Sequence, residues 1–493
     1  MLFNSIHYLI FFPLVTAMYF LSPQRVRWAL LLAASCYFYM VFKPVYILIL
    51  AFTIFIDYAA GIWIEESQGQ RRKWFLIASI VTNVGVLAIF KYYNFVNQSW
   101  HDFLSLTSLD LPVPPFLQIM LPIGLSFHTF QSMSYTIEVY RRHTPAERHL
   151  GVFALYVMFY PQLVAGPIER PQHVLPQLKE THFFEYSRAV SGLQLMLWGM
   201  FKKVVIADRL APFANEVYGQ PQLYEGISLI VATVFFAVQI YCDFSGYSDI
   251  ALGSAQVMGI KLMQNFDRPY FSKSIAEFWR RWHISLSSWF RDYLYVSLGG
   301  NRVLPLRRYF NVLVTFTVSG IWHGANWTYV LWGVINGMYL IGERQYQSVI
   351  EKHIVPRLTN KTGLFLFQGG QVVLTFGMIC LAWIFFRANT ISDAGYILTH
   401  LFSGLKTLPA DLFSMPFVKL NILLGRDKFD FIAALCGIAF LIVTHLLQRK
   451  ESGRALLGRQ NVYVRWAFYY AIICSILFLG AYNESQQFIY FQF

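Results

Sequence analysis

Two histidines sit where an imidazole could do chemistry. His323 lies in GIWHGANW (320–327), within a stretch from Phe310 to Leu340 that has no Lys, Arg, Asp or Glu. Ionisable groups at membrane depth are costly, so one placed there points to function. A neutral imidazole suits a general base, because it can take a proton from a hydroxyl near neutral pH. Gly320 and Gly324, then Gly333 and Gly337, form two GxxxG pairs that permit close helix approach and could hold the ring rigidly. Asn326, one turn on, could orient the ring or a substrate. The competing reading is a buried histidine satisfied by a neighbouring helix. His7 and His445 also fall in apolar runs but lack the glycine and tryptophan framing, and for them that plainer reading is preferred.

The second histidine, His283, lies in FDRPYFSKSIAEFWRRWHISLSSWFRDYLYVSLGGNR (266–302). From Arg268 through Arg308 there are eight Lys or Arg against Glu277 and Asp292, which predicts a cytosolic face. Phe278, Trp282, Trp289 and Tyr293 fall at helical steps, as do Arg280, His283, Ser287 and Arg291. This predicts an amphipathic helix at the membrane surface with its aromatic side down. Its basic side would form a floor for an anionic cofactor, with His283 facing a cavity, since arginine suits phosphates.

Three further stretches bring polar groups into apolar surroundings. In LPIGLSFHTFQSMSYTIEVYRR (121–142) the preferred reading is hydrogen-bonding glue between helices, with His128 a possible cavity residue. FYPQLVAGPIERPQ (159–172) has too many prolines for one helix and predicts either a re-entrant or interfacial turn with Glu169 and Arg170 at its mouth, or a simple loop. QIYCDFSGYSDIALG (239–253) carries Asp243 and Asp249 at the end of an apolar run. Six residues apart on a helix they point to different faces, so capping or salt-bridging is preferred over catalysis.

The elements that must position these groups follow from composition. Of 493 residues 56% are apolar and 13% charged, and mean hydropathy is +0.45; soluble domains carry roughly 25% charged residues. Apolar runs near 3–23, 27–42, 45–64, 74–90, 116–137, 150–166, 190–201, 226–242, 309–341, 371–386, 429–447 and 464–482, with few charged residues, are of spanning length or close to it. The expectation is an all-α polytopic membrane protein of about 11–12 membrane helices, with re-entrant and interfacial helices. The net charge of +13 does not indicate nucleic acid, because the basic residues are spread over short loops, as membrane topology requires. Their alternation puts the N-terminus outside the cytosol. Residues 1–24 carry no Lys or Arg, so a cleavable signal peptide is not expected. The five cysteines form no CxxC pair and indicate no metal. The polar stretches near 91–115, 342–370 and 387–428 are loop-sized, so residues 1–493 are expected to form one membrane domain. A proton-coupled transporter remains open on these features, because buried His and Asp with broken helices also mark ion paths.

The run FWRRWHISLSSWFRDYLYVSLGGNR followed by SGIWHGANWTYVLWGVINGMYL, and preceded by YCDFSGYSDIALG and FYPQLVAGPIERP, resembles the membrane-bound O-acyltransferase family. Within it the likeness is to the bacterial alginate O-acetyltransferase-like branch of polysaccharide acetylation proteins. It covers roughly residues 80–345, the stretch expected to form the motif-rich core; residues beyond it match no motif. The resemblance implies a helical bundle around a funnel or tunnel, in the bacterial inner membrane. The family's essential histidine maps to His323 and its second histidine to His283. It further implies cytosolic acetyl-CoA as donor, with Arg280, Arg281, Arg291, Trp282 and Asn326 as candidate donor-binding residues, and no metal. The acceptor hydroxyl would lie outside the membrane, with extracytoplasmic acetylation proteins as partners beside membrane lipid. Trp322, Asn326 and a backbone amide are alternatives for stabilising the oxyanion. Lipid or protein acylation, or D-alanylation of teichoic acid from a carrier protein, are the alternatives inside the family.

Overall fold

Backbone that crosses hydrocarbon must satisfy every N–H and C=O internally, and a helix does so within one segment. In the computed structural model all regular structure among the described residues is helical. Those residues are 1–107, 109–118, 121–164, 166–349, 352–353, 360–404, 422–449, 451, 453–482 and 488–489, so the polar stretches expected at 91–115, 342–370 and 387–428 lie partly outside them. Seven helices among them are long and apolar enough to cross a membrane: Pro44–Glu66, Gly69–Thr107, Tyr186–Gly219, Ile227–Met258, Lys361–Arg387, Lys428–Leu447 and Val462–Leu479. The protein is a multi-pass, all-α membrane protein. Other expected runs form shorter helices, among them Ile6–Leu21, Gln24–Met40, Leu125–Tyr140 and Leu150–Met158.

The chain divides into two compact units, residues 1–196 with 248–263, and residues 197–247 with 264–493. In the first, the helix Leu125–Tyr140 packs tightly on Pro44–Glu66, because Gly61 has no Cβ to meet the Tyr135 ring. The proline-rich stretch forms one helical turn, Tyr160–Leu163, then irregular buried backbone, then the helix Pro171–Lys179 with proline at its first position. Glu169 does not stand at a mouth. It is 0% exposed, accepting a hydrogen bond from the Met263 N–H at 2.5 Å and lying 2.9 Å from His173 Nδ1. A partner 94 residues away decides its burial, and no local pattern encodes that.

In the second unit Asp243 does not cap a helix. Ile227–Met258 is one helix of 32 residues, and Asp243 and Asp249 lie inside it. Helix continues through the polar residues because Asp243 is neutralised in place. Lys203 Nζ lies 2.7 Å from both Asp208 and Asp243, and all three side chains are buried. The second Asp243 oxygen accepts the Ile489 N–H at 2.7 Å. Salt-bridging, one of the two structural readings of Asp243, is what the structure contains.

Candidate active site

The uncharged stretch around His323 is a helical hairpin. Pro305–His323 ends at the histidine, residues 324–326 turn, and Trp327–Val349 returns. The glycines explain both the turn and the closeness. A Cβ on Gly320 would collide with the Tyr329 carbonyl oxygen, one on Gly333 with the Phe316 carbonyl, and one on Gly324 with the Tyr329 ring. Gly337 faces Leu313, so the two helices run antiparallel with backbones in near contact. His323 is therefore the last residue of a helix at a hairpin tip, and Asn326 is not one turn on along the same helix. Asn326 Oδ1 accepts the Thr328 N–H at 3.1 Å, capping the return helix, and its Nδ2 donates to the Asn389 carbonyl at 2.9 Å.

Aromatic rings surround His323, which is 4% exposed. Its ring centroid lies 4.9 Å from Trp322, 4.9 Å from Trp332 and 5.3 Å from Phe386, each close to edge-on. Trp332 in turn stacks on Trp383 at 6.0 Å. Edge-to-face packing of this kind fixes a ring's plane, each pair contributing about 0.5–1.5 kcal/mol. Trp383 and Phe386 come from Lys361–Arg387, beyond the stretch that carries motifs, and the sequence reading missed them. The sequence holds only a weak signal for them, aromatic residues three apart near a helix end in WIFFR.

The expected continuous amphipathic helix around His283 is absent. Ile275–Arg281 and Ile284–Trp289 are separate helices, and His283 between them has φ +44° and ψ +55°, the left-handed region. Tertiary hydrogen bonds hold this break. The Arg281 carbonyl accepts the Asp267 N–H at 3.0 Å, the Asn265 carbonyl accepts the Ile284 N–H at 2.9 Å, and the Asn265 side chain accepts the Ser285 hydroxyl at 2.7 Å. Histidine is among the residues that tolerate this conformation better than most, though at a cost.

The break also separates residues that periodicity put on one face. Arg280 and Arg291 are exposed, whereas His283 is 0% exposed. Arg281 pairs with Glu277 at 2.6 Å and Arg291 with Asp292 at 2.7 Å, while Arg280 forms no salt bridge among the described residues. The aromatic side is not laid on lipid. Trp282, 1% exposed, packs among Phe266, Phe278 and Trp383, and Trp289 and Tyr293 are buried too. The His283 ring lies 4.6 Å from Phe244 and 6.4 Å from Trp322. Burial pushes its imidazole down to about 3, so it is neutral at physiological pH. The Trp322 indole thus lies near both His323 and His283, two histidines 40 positions apart in sequence brought to one aromatic cluster. His445 takes the plainer role expected of it, with Nε2 3.1 Å from the Tyr241 hydroxyl.

The model described as MBOAT, membrane-bound O-acyltransferase family, matches residues 141–386, which include both histidines. The chain is 39% identical to the probable alginate O-acetylase AlgI of Pseudomonas aeruginosa, over 81% of this chain and 74% of that protein. It is 33% identical to the peptidoglycan O-acetyltransferase of Helicobacter pylori, over 74% of this chain and 71% of that one. With the teichoic acid D-alanyltransferase of Streptococcus thermophilus it shares 30% identity over 44% of this chain and 56% of the other. A polytopic helical chain with this match across its histidine-bearing core belongs to the membrane-bound O-acyltransferase family and is an O-acyltransferase.

Proposed function

We propose that this enzyme moves an acetyl group from cytosolic acetyl-CoA to a hydroxyl of an extracytoplasmic polysaccharide, with His323 as general base. The observation that carries the proposal is the convergence of His323 and His283 on the Trp322 indole inside one aromatic cluster. A hydroxyl is a poor nucleophile until a base removes its proton. His323 takes that proton as the oxygen attacks the thioester carbonyl. The carbon–sulfur bond then breaks, and the departing thiolate recovers the proton from the imidazolium, so the cycle closes with no net proton. His283, held neutral by burial, orients the thioester. With Asn326 engaged in capping, the Trp322 indole N–H, on a ring that adjoins both histidines, is proposed to stabilise the oxyanion. The exposed Arg280, with Arg281 and Arg291 of the same basic segment, meets the phosphates of the donor.

Similarity to an alginate O-acetylase and a peptidoglycan O-acetyltransferase supports a polysaccharide acceptor. On this reading the protein lies in the bacterial inner membrane with its N-terminus outside the cytosol. Delivery to the polysaccharide is direct or through extracytoplasmic acetylation proteins. The likeness to D-alanyltransferases favours one second reading, a carrier-protein thioester in place of CoA. Incubating the purified protein with radiolabelled acetyl-CoA and oligosaccharide tests both. Label should leave CoA in the wild type and stay on it in His323→Ala, with turnover at least about 10²-fold lower, at the lower end of general-base contributions. A wild type inert with acetyl-CoA but active with an acylated carrier protein would move the assignment to the second reading.

A further inference from the structure

We propose that Asp57 forms a monovalent-cation site at membrane depth, with a proton as its occupant. Asp57 lies near the middle of the spanning helix Pro44–Glu66 and is 0% exposed. It forms no salt bridge among the described residues. Its neighbours are neutral. Ser79 Oγ donates to Oδ1 at 2.7 Å, and Asn83 Nδ2 lies 2.9 Å from each carboxyl oxygen. Ser79 Oγ is also 3.0 Å from Thr136 Oγ1, so one carboxyl ties three helices together.

Several charged and titratable groups on the surrounding elements are committed elsewhere, whereas His128 and the buried Tyr39 hydroxyl have no hydrogen-bond partner. Arg72 donates to the Val139 and Tyr140 carbonyls, and Glu138 is engaged by His143 and Gln172. The Tyr135 hydroxyl accepts the Glu147 N–H, the Tyr58 hydroxyl donates to the Arg148 carbonyl, and that of Tyr156 to the Glu169 carbonyl. From Gln24–Met40, Arg27 donates to the Ser22 and His182 carbonyls. A lone buried carboxylate with dipoles but no counter-charge is costly, and neutralising it by a bound cation removes that cost.

Two unsatisfied atoms point to what the cation is. The Ser132 hydroxyl faces the carboxyl and has no other partner, and Asn83 Oδ1, on the amide that touches both carboxyl oxygens, has none. Both residues are buried. With Ser79 and Asn83 already donating to the carboxyl, a proton on Oδ2 gives Ser132 an O–H to accept and leaves the site neutral. His128 lies one turn before Ser132 on the same helix face, buried, with neither ring nitrogen hydrogen-bonded. It is the titratable group on that face nearest in sequence to Ser132. Acyl transfer has no net proton to supply or absorb, so the site is independent of the proposed reaction. It makes the packing of these three helices respond to pH and to membrane potential.

Infrared difference spectra of the full chain in lipid nanodiscs test this. Wild type minus Asp57→Asn should contain the C=O stretch of one protonated carboxyl at neutral pH, fading as pH rises and unchanged when N-methylglucamine replaces sodium. Ser132→Ala should move that band to higher frequency through loss of its acceptor. Absence of the band together with sodium-dependent thermal stabilisation that Asp57→Asn abolishes would keep the cation site and make its occupant sodium. No band and no sodium effect would overturn the proposal. Should Asp57→Asn fail to fold, carbon-13 aspartate labelling of wild type and Ser132→Ala decides it, since no labelled band shifting between the two also overturns it.

Discussion

At the scale of single residues, His323 and His283 differ in what holds them. His323 is fixed from its sides by Trp322, Trp332 and Phe386. His283 is fixed through its own backbone, at φ +44°. That difference permits a separation of roles. His283→Gly should relieve the left-handed strain and keep or raise thermal stability, yet lower acetyl transfer; His283→Ala should lose both. If the glycine variant kept full transfer, the imidazole would have no part in the reaction. Both residues were legible in the sequence because a histidine in an uncharged run, or among arginines and tryptophans, stands out locally. Their neighbours Trp383 and Phe386 were not, because nothing in a helix's own residues states which helix it will face.

At the scale of elements, the hairpin depends on glycine where two backbones approach. Gly333→Ala puts a Cβ into the Phe316 carbonyl, and overpacking of this kind costs about 1–3 kcal/mol. The apparent Tm should fall and transfer with it, as the His323 tip shifts. Gly342→Ala, on the same helix with open space around it, should be neutral or gain up to about 1 kcal/mol from helix propensity. Equal effects of the two would remove the close-packing argument.

The helix Pro171–Lys179 carries a second element-scale consequence. The hydrogen bond to Glu169 raises His173 above the usual 6.5, and burial raises Glu169 above the usual 4.5. Both groups bind protons more tightly in the folded state, so folding stability falls as pH rises. The His173 contribution is fully present below about pH 6.5 and is lost as pH climbs through its folded value. Melting curves from about pH 6 to about pH 8 should show a declining apparent Tm, flatter in His173→Ala. An identical slope in that variant would assign the decline to other groups.

At the scale of the whole molecule, the ion cluster in the second unit is the costliest feature to disturb. Lys203→Met leaves Asp208 and Asp243 buried without their cation, and breaking such pairs costs about 3–5 kcal/mol. The variant should express poorly and unfold at lower temperature. Replacing all three residues by apolar ones of similar volume should recover most of that loss, because the desolvation cost disappears with the charges. Composition alone determined that this is a multi-pass helical membrane protein, because hydrocarbon accepts only backbone whose polar groups are satisfied internally. Motif order determined the family and singled out two candidate histidines. Tertiary structure alone decided that Phe310–Leu340 is broken at a hairpin tip, that the basic segment kinks at His283, and that Asp243 is a buried ion-pair partner rather than a helix end. Each involves a partner distant in sequence, Phe386 beside the tip, Asn265 at the kink, Lys203 at the aspartate. Periodicity measures only the repeat along one segment, and a hydrogen bond or ion pair from elsewhere outweighs it.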